Sequence, residues 1–254
     1  MTNALLVGLG SVGKTHLKAL ASRFESIHVV DPRPEVRREI EHLGSRGIWL
    51  GSINELVSLW DTARKMWDFV VVANWAPDRL ETIRLLRGHK IRSLLIEKPA
   101  TSSLSDVYKL EKEVCKLADS AAVNLHLRYS KIPQIVSEVT EKYSLGPIIR
   151  IVEMGGAKCI GTNGIHWLDL ATFLFKENAI EVQGNARFDA ISPRGKHLSV
   201  AEGDLCWKFA NGATFRLTYS NRSSIPSQLF IQWRHASASI IESELIERKS
   251  TRLN

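Results

Sequence analysis

Ala4-Leu5-Leu6-Val7-Gly8-Leu9-Gly10-Ser11-Val12-Gly13-Lys14-Thr15 is the stretch on which the fold turns. A short apolar run passes straight into a glycine loop, the pattern of a strand that turns directly into a helix. Gly8, Gly10 and Gly13 satisfy G-x-G-x-x-G, the dinucleotide fingerprint, and Gly8 to Thr15 also satisfies G-x-x-x-x-G-K-T, the phosphate loop of nucleoside triphosphatases. Both rest on the same physics: glycines let backbone N–H groups approach phosphate oxygens at the positive end of a helix. The acid on a later strand separates them. A dinucleotide site needs one about 20 positions on, at the tip of the second strand, to take the adenosine ribose hydroxyls. Ile27-His28-Val29-Val30-Asp31 supplies it, Asp31 standing 18 residues after Gly13. A triphosphatase needs an acid further along for Mg²⁺. Leu94-Leu95-Ile96-Glu97 offers one, but the adjoining Lys98-Pro99 has no place in that reading, so a phosphotransferase is the minor alternative.

Outward from this loop, the first half alternates β-rich apolar runs with amphipathic stretches. Strands are predicted at Ala4 to Gly8, Ile27 to Val30, Phe69 to Ala73, Ser93 to Ile96 and Ala122 to Leu125. Helices are predicted at His16 to Phe24, Glu35 to Leu43, Ile53 to Arg64, Arg79 to Arg87 and Leu104 to Ala118, with Ser52 and Ser103 as N-caps, Pro77 at a helix opening and Gly88 at a helix end. Near-continuous Val/Ile/Leu runs between helices are the mark of a parallel sheet covered on both faces. The class is α/β, a doubly wound parallel sheet of Rossmann type over residues 1–122.

After residue 122 the pattern changes. A helix at Pro133 to Tyr143 stops at Gly146-Pro147, a strand runs from Ile148 to Met154, and a glycine-bearing loop leads into a helix at Ile165 to Phe175. Strands then run over Ile180 to Phe188, Ser199 to Phe209, Ala213 to Tyr219, Gln228 to Trp233 and Ala238 to Glu242, with Asn211-Gly212 as a short hairpin signal. Residues 123–254 therefore read as an α+β domain with an open, mostly antiparallel sheet.

Composition narrows the partners. The formal charge of +7 is spread evenly: residues 1–122 carry 18 Lys/Arg and 15 Asp/Glu, residues 123–254 carry 16 and 12. A diffuse positive balance suits anionic small ligands such as nucleotides, and no basic stripe points to nucleic acid. The longest apolar runs fall far short of the ~20 residues that a helix needs to cross a bilayer, and the chain opens without a leader of the secretory kind. The expected location is the cytoplasm. Cys115, Cys159 and Cys206 lack paired spacing and read as small buried hydrophobes. His126, Cys159, His166 and Cys206 do not show ligand spacing, so no metal is expected.

Two further segments carry candidate chemistry. Glu97-Lys98-Pro99 comes directly after a strand of the parallel series, which places it at the carboxyl edge where ligands of open α/β sheets collect. In Gly161-Thr162-Asn163-Gly164-Ile165-His166-Trp167-Leu168-Asp169, His166 and Asp169 stand three apart on one helix face. The bland alternative for the pair is a satisfied histidine with an acid near the helix N-terminus.

Taken together, these elements resemble the Gfo/Idh/MocA family of nicotinamide-dependent oxidoreductases. The resemblance rests on Gly8 to His16, Val72-Ala73-Asn74-Trp75-Ala76-Pro77, Glu97-Lys98-Pro99, Asn124 to Arg128 with Pro133, and Gly164 to Asp169. It implies hydride transfer between a nicotinamide cofactor and a hydroxyl or keto carbon of a sugar, cyclitol or nucleotide sugar. It implies cofactor contacts at Gly8, Gly10, Ser11, Val12, Gly13, Asp31, Arg33, Ala73, Asn74, Pro77, Glu97 and Lys98. Lys98 is expected to hold the reacting oxygen, His166 to act as general base, and Asp169 to orient His166 or the substrate. Arg128, Thr162 and Asn163 are expected on the substrate side with Lys98 and His166, and the assembly is expected to be a homodimer or homotetramer. A carboxylate at Asp31 that no cation neutralises favours NAD; Arg33 leaves NADP open. The sequence departs from the family at Thr162, where many relatives carry Asp four positions before the histidine. Threonine accepts no proton at neutral pH, which shifts weight to Lys98 and His166. It also leaves, as the alternative, a member that binds NAD or sugar with weak turnover.

Overall fold

The computed structural model describes residues 2–59, 66–156, 158–191, 199–220 and 222–241. The chain divides into two compact units, Met1–Asn124 and Leu125–Asn254.

In the first unit, β1 (Asn3–Val7), β2 (Ser26–Val30), β3 (Gly47–Leu50), β4 (Met66–Val72), β5 (Lys90–Ile96) and β6 (Ala118–Val123) form one sheet in the order β3-β2-β1-β4-β5-β6. Every neighbouring pair is parallel. This is the doubly wound order. Side chains alternate across a strand, and here both sets are buried. Leu5 and Val7 of β1 join a core with Val70, Val72, Leu94, Ile96 and the helices α3 (Arg79–Leu85) and α4 (Leu104–Leu117). Ala4 and Leu6 join another with Val29, Val71, α1 (Ser11–Ala21) and the turns of Pro34–Arg46. Burial on both faces explains the unbroken apolar runs of the sequence.

Several boundaries differ from the sequence reading. The first helix starts at Ser11 rather than His16, because its opening turn lies inside the glycine loop, where no apolar period shows. Pro34–Arg46 is 3₁₀ helix with a kink at Gly44 (φ 57°); Val36, Ile40 and Leu43 are buried as expected, and so short a period does not separate the two helix types. The four-residue β3 was not predicted. Strand β6 begins at Ala118, four residues before its expected start, since Asp119 to Ala122 are exposed at the sheet edge and carry no hydrophobic pattern. Helix α2 (Ile53–Leu59) is described only to Leu59, and its expected extension to Arg64 lies outside the described residues. Ser103 caps α4 as predicted, accepting the Asp106 N–H at 3.2 Å.

In the second unit, β7 (Ile148–Gly155), β8 (Ala179–Ile191), β9 (Ser199–Phe209), β10 (Thr214–Tyr219), β11 (Gln228–Trp233) and β12 (Ser237–Ile241) form a sheet ordered β12-β11-β7-β10-β9-β8. All adjacencies are antiparallel except β7 with β10. Glu242, expected in the last strand, lies outside the described residues. The Asn211-Gly212 turn joins β9 to β10, Gly212 taking φ +83° and Asn211 accepting the Ala213 N–H at 3.0 Å. Helices α5 (Lys131–Lys142) and α6 (Ile165–Phe175) contribute Ile132, Val136, Trp167, Leu170 and Phe175 to a core with Ile151, Phe215, Leu217, Ile231 and Trp233 of the sheet. Along β10, Phe215, Leu217 and Tyr219 are buried, whereas Thr214, Arg216 and Thr218 turn the other way.

None of the cysteines is fully buried, contrary to expectation: Cys115 is exposed and Cys159 and Cys206 are half-buried. On α4 the buried stripe is Leu110, Val114 and Leu117, and Cys115 lies off it.

Phe215→Ala deletes a ring with no exposed surface. The expected loss is about 3–5 kcal/mol, read as a lower urea midpoint by tryptophan fluorescence, while Thr214→Ala on the opposite face should cost under about 1 kcal/mol.

Candidate active site

The glycine loop of the first unit is fixed by packing at two of its three glycines. Gly8 has φ +92°, and a β-carbon there would meet the Asn74 backbone nitrogen at 2.6 Å. A β-carbon on Gly13 would lie 2.1 Å from the Gly8 carbonyl oxygen. Gly10 is different, with nothing within 4 Å of that position. The open space lies at the N-cap of α1, where no side chain caps the helix and no acid stands in the first turn. The first N–H groups of a helix have no intrahelical partner, so Gly10, Ser11, Val12 and Gly13 present donors at the positive end of the helix. That donor set fits the diphosphate of a dinucleotide.

Asp31 stands at the end of β2, buried, and its Oδ2 accepts the Leu9 N–H at 2.7 Å. Sequence reading treats this carboxylate as one that no cation neutralises; the structure corrects that. Arg33 lies across it, Nε on Oδ1 at 2.9 Å and Nη2 on Oδ2 at 2.9 Å, and the Arg33 backbone N–H adds a further bond at 3.1 Å. Burial pushes the Asp31 carboxyl up, but the guanidinium and the two backbone donors outweigh it and hold the group below its ordinary value. Two residues of separation suffice for the fork, a contact that no spacing rule announces.

Glu97, after β5, is the buried centre of a second network. It accepts His16 Nε2 at 2.7 Å, Asn124 Nδ2 at 2.5 Å and the Lys98 N–H at 3.3 Å. Burial raises its pKa, and these donors more than reverse the shift. Arg79, also buried, donates to the carbonyls of Asn74, Glu97 and Pro99, so one guanidinium gathers the chain ends after β4 and β5. Burial brings its pKa down to about 10, with Glu97 opposing. The Lys98-Pro99 peptide is cis, and Lys98 is half-buried. Ala73 is held on β1 by its N–H to Val7, Asn74 donates to Thr82 at 2.8 Å, and Pro77 lies in the 3₁₀ turn Ala76–Asp78. Arg79 and Thr82 were given no role by sequence reasoning, since neither differs in sequence from a surface residue, and Asn124 was noted only within the family resemblance. Lys14, the lysine of the phosphate-loop alternative, has its Nζ 2.6 Å from Glu39 in an exposed ion pair, and no observation supports that alternative.

In the second unit, His166 is buried at the start of α6 with its ring centre 4.2 Å from that of His126, the planes at 63°. Asp169 faces Arg128, which donates Nε to Oδ2 at 2.8 Å and Nη2 to Oδ1 and lies over the Phe173 ring at 5.5 Å. The guanidinium is raised above its ordinary pKa chiefly by that carboxylate. The helical spacing that groups Asp169 with His166 thus leaves out its partner from the turn His126–Tyr129. Thr162 and Asn163 lie in a π turn, Ile160–Gly164, whose Asn163 Oδ1 accepts the Thr162 hydroxyl at 3.2 Å. Gly164 allows the turn to press on β10: a β-carbon there would sit 2.4 Å from Leu217 Cδ2. Among the described residues no group of three or more His, Cys, Asp and Glu is placed to hold a metal ion, and no helix is long and apolar enough to cross a membrane.

Comparison with known proteins bears on the fold. No protein-family model and no curated protein matches the chain. Solved structures do. An NAD-binding protein from Listeria innocua is 19% identical, with a TM-score of 0.75 over 96% of this chain and 74% of its own. Myo-inositol 2-dehydrogenase from Lactobacillus plantarum is 13% identical, at 0.75 over 94% and 76%. Scyllo-inositol dehydrogenase from Lactobacillus casei, solved with NAD(H) and scyllo-inositol, is 13% identical, at 0.73 over 95% and 76%. At these identities the likeness establishes the fold alone, a parallel α/β sheet followed by a mostly antiparallel one.

Both Asp31 and Glu97 have folded pKa values below their ordinary ones. Their contribution is present above the unfolded pKa, about 4, and is lost as pH falls through the depressed folded values. Thermal stability should fall from about pH 4 downward, and Glu97→Gln, less stable at neutral pH, should show a shallower acid decline in a melting series.

Proposed function

We propose that the chain is an NAD(P)-dependent oxidoreductase of Gfo/Idh/MocA type acting on a CH–OH carbon of a sugar, cyclitol or nucleotide sugar. The observation that carries this is the open Gly10 N-cap standing with buried Asp31 at the end of the next strand, one group for a diphosphate and one for a ribose diol. Neighbouring structures that hold NAD(H) with an inositol support the reading.

Gly8, Gly10, Ser11, Val12 and Gly13 would hold the diphosphate, Asp31 and Arg33 the adenosine ribose, and Ala73, Asn74, Pro77 and Glu97 the border of the cofactor. When bound, the nicotinamide supplies the hydride acceptor or donor. His166 takes the hydroxyl proton onto an imidazole nitrogen in the oxidation direction and returns it in reduction, a task suited to a group that ordinarily titrates near ~6.5. Lys98 holds the reacting oxygen by its ammonium. Arg128, by engaging Asp169, fixes the start of α6 from which His166 projects, and Thr162 and Asn163 meet the substrate hydroxyls. For Asp31 to reach the ribose hydroxyls, Arg33 must release part of its fork, and the released guanidinium is then placed to meet the 2′-phosphate of NADP. NAD is the cofactor of first choice, with NADP accommodated by Arg33.

Thr162 in place of a carboxylate favours a second reading, a dinucleotide- or sugar-binding protein with weak turnover. Melting with NADH, NADPH and Mg-ATP in turn tests the binding shared by both. A ligand at a hundredfold excess over Kd stabilises by about 2.7 kcal/mol, and a response to Mg-ATP alone would end the proposal. Nicotinamide absorbance with a panel of sugars and cyclitols then separates enzyme from binder. Lys98→Ala and His166→Ala should each lower turnover by at least about 10²-fold with NADH affinity nearly intact.

The Arg33 fork generates its own test. Arg33→Ala should weaken NADPH by about tenfold or more, the scale of a charge-assisted contact, and leave NADH equal or tighter, as read by fluorescence titration of the reduced cofactors.

A further inference from the structure

The hydroxyl proton that His166 would accept in the oxidation direction has to reach water before the next turnover, and His166 shows little surface through which to release it. The residue is 5% exposed. A base takes a substrate proton through the surface that it turns to the substrate, so in the complex that small area is covered. Trp167, Leu170 and Ala171, which follow on α6, are packed into the apolar core of the second unit, which carries no proton.

His126 breaks this enclosure. Its ring centre lies 4.2 Å from that of His166 with the planes at 63°, so the two rings touch, and His126 is itself exposed. One imidazole thus links the buried ring to the surface. Its neighbours on the turn His126–Tyr129 hold it there. Leu127 packs against the core, and its carbonyl accepts the Ser130 hydroxyl at 2.6 Å and the Ser130 N–H at 3.1 Å. Arg128 is forked onto Asp169, which stands three residues after His166 on the same helix. The backbone is therefore fixed beside α6, while the ring keeps the broad two-fold torsion of a histidine χ2. Rotation about that bond exchanges which edge of His126 meets His166.

Imidazole is suited to such a transfer. In its neutral form one nitrogen donates and the other accepts. Two imidazoles also share an ordinary pKa of about 6.5, so a proton passes between them with little change in free energy.

We propose that His126 is the proton outlet of His166. The inference rests on the oxidoreductase reading and adds to it a residue that acts through His166. The substrate hydroxyl adds a proton to one nitrogen of His166 and makes it an imidazolium. Neutral His126 then forms an N–H bond with a proton leaving that imidazolium, and the N–H on its other nitrogen breaks to water. Both rings end neutral and no electron pair leaves either one. The proton delivered to water is the one that oxidation of CH–OH to C=O with NAD⁺ releases alongside NADH. In reduction the same steps run backwards.

The first test needs neither cofactor nor substrate. Relaxation dispersion on the labelled histidine rings of the full chain measures how fast His166 gains and loses its proton. His126→Phe keeps a ring against His166 and removes both nitrogens; it should slow this exchange by about tenfold or more, the mark of a lost shuttle. His126→Ala in dilute buffer should be restored by added imidazole and not by sodium chloride. The second test is stopped-flow oxidation of myo-inositol, scyllo-inositol and D-glucose with NAD⁺. In His126→Phe the first turnover, in which His166 itself receives the proton, should keep its rate while later turnovers slow. An unchanged exchange rate in His126→Phe overturns the proposal. So does a first turnover slowed as much as the later ones, or an alanine variant that imidazole does not restore, since a packing role alone predicts both. Failure of the unmutated protein to oxidise any of these compounds counts against the oxidoreductase reading, and the proton link is then upheld or overturned by the exchange rate alone.

Discussion

The contact between Gly13 and the carbonyl of Gly8 sets the geometry on which the first unit depends. With 2.1 Å from a notional β-carbon to that oxygen, no other side chain fits without moving backbone. The helix can therefore begin within a few residues of the strand it leaves. The N-terminal N–H groups of α1 are thereby concentrated over the carboxyl edge of the sheet, with Gly10 keeping the space above them open. Leu9 is also turned so that its N–H reaches Asp31 on the neighbouring strand. The same close approach recurs at Gly8 against Asn74, so β2, β1 and β4 end in register around one point. A diphosphate site in this class of sheet is thus a by-product of backbone proximity, and the side chains around it add selectivity.

Three buried charges of the first unit share a rule. Asp31, Glu97 and Arg79 are each withdrawn from water, and each is met by several partners rather than one. Desolvation alone would push the two carboxyls up and the guanidinium down. Only for Arg79 does desolvation prevail, because its acceptors are mainly carbonyl dipoles, whereas the carboxylates face a cation or multiple N–H donors. Removing one partner from such a group leaves the rest of the desolvation in place, which is why these networks are stiff and why they hold loop ends at fixed positions.

Much of this was legible in the sequence, and the gaps have physical causes. The glycine loop, the buried strands β1, β4 and β5 and the Asn211-Gly212 turn each carry a local signal: a required conformation, a doubly buried apolar run, a positive φ. Edge strands β3 and β6 do not, because an edge exposes the side chains whose burial makes a strand visible. The parallel pairing of β7 with β10 is a non-local choice that neither segment encodes by itself. At the candidate site, residue identities were within reach while their pairings were not. Asp31 with Arg33, Asp169 with Arg128, and Glu97 with His16 and Asn124 join positions 2, 41, 81 and 27 apart. Spacing rules see only neighbours on one helix or strand, so Asp169 was grouped with His166.

The charged pairs also shape how ligands would bind. Asp31 and Asp169 each hold a guanidinium in the protein as it stands, so a ligand hydroxyl arriving at either carboxylate replaces an existing charge-assisted bond. The net gain is the difference between two bonds, smaller than the strength of either, and such positions discriminate among ligands more than they attract them. Attraction must come from donors with no internal partner, which in the first unit means the opening turn of α1. The division makes chemical sense for the proposed reaction: the diphosphate common to every dinucleotide would be gripped by backbone, while the ribose would be judged by exchange at Asp31.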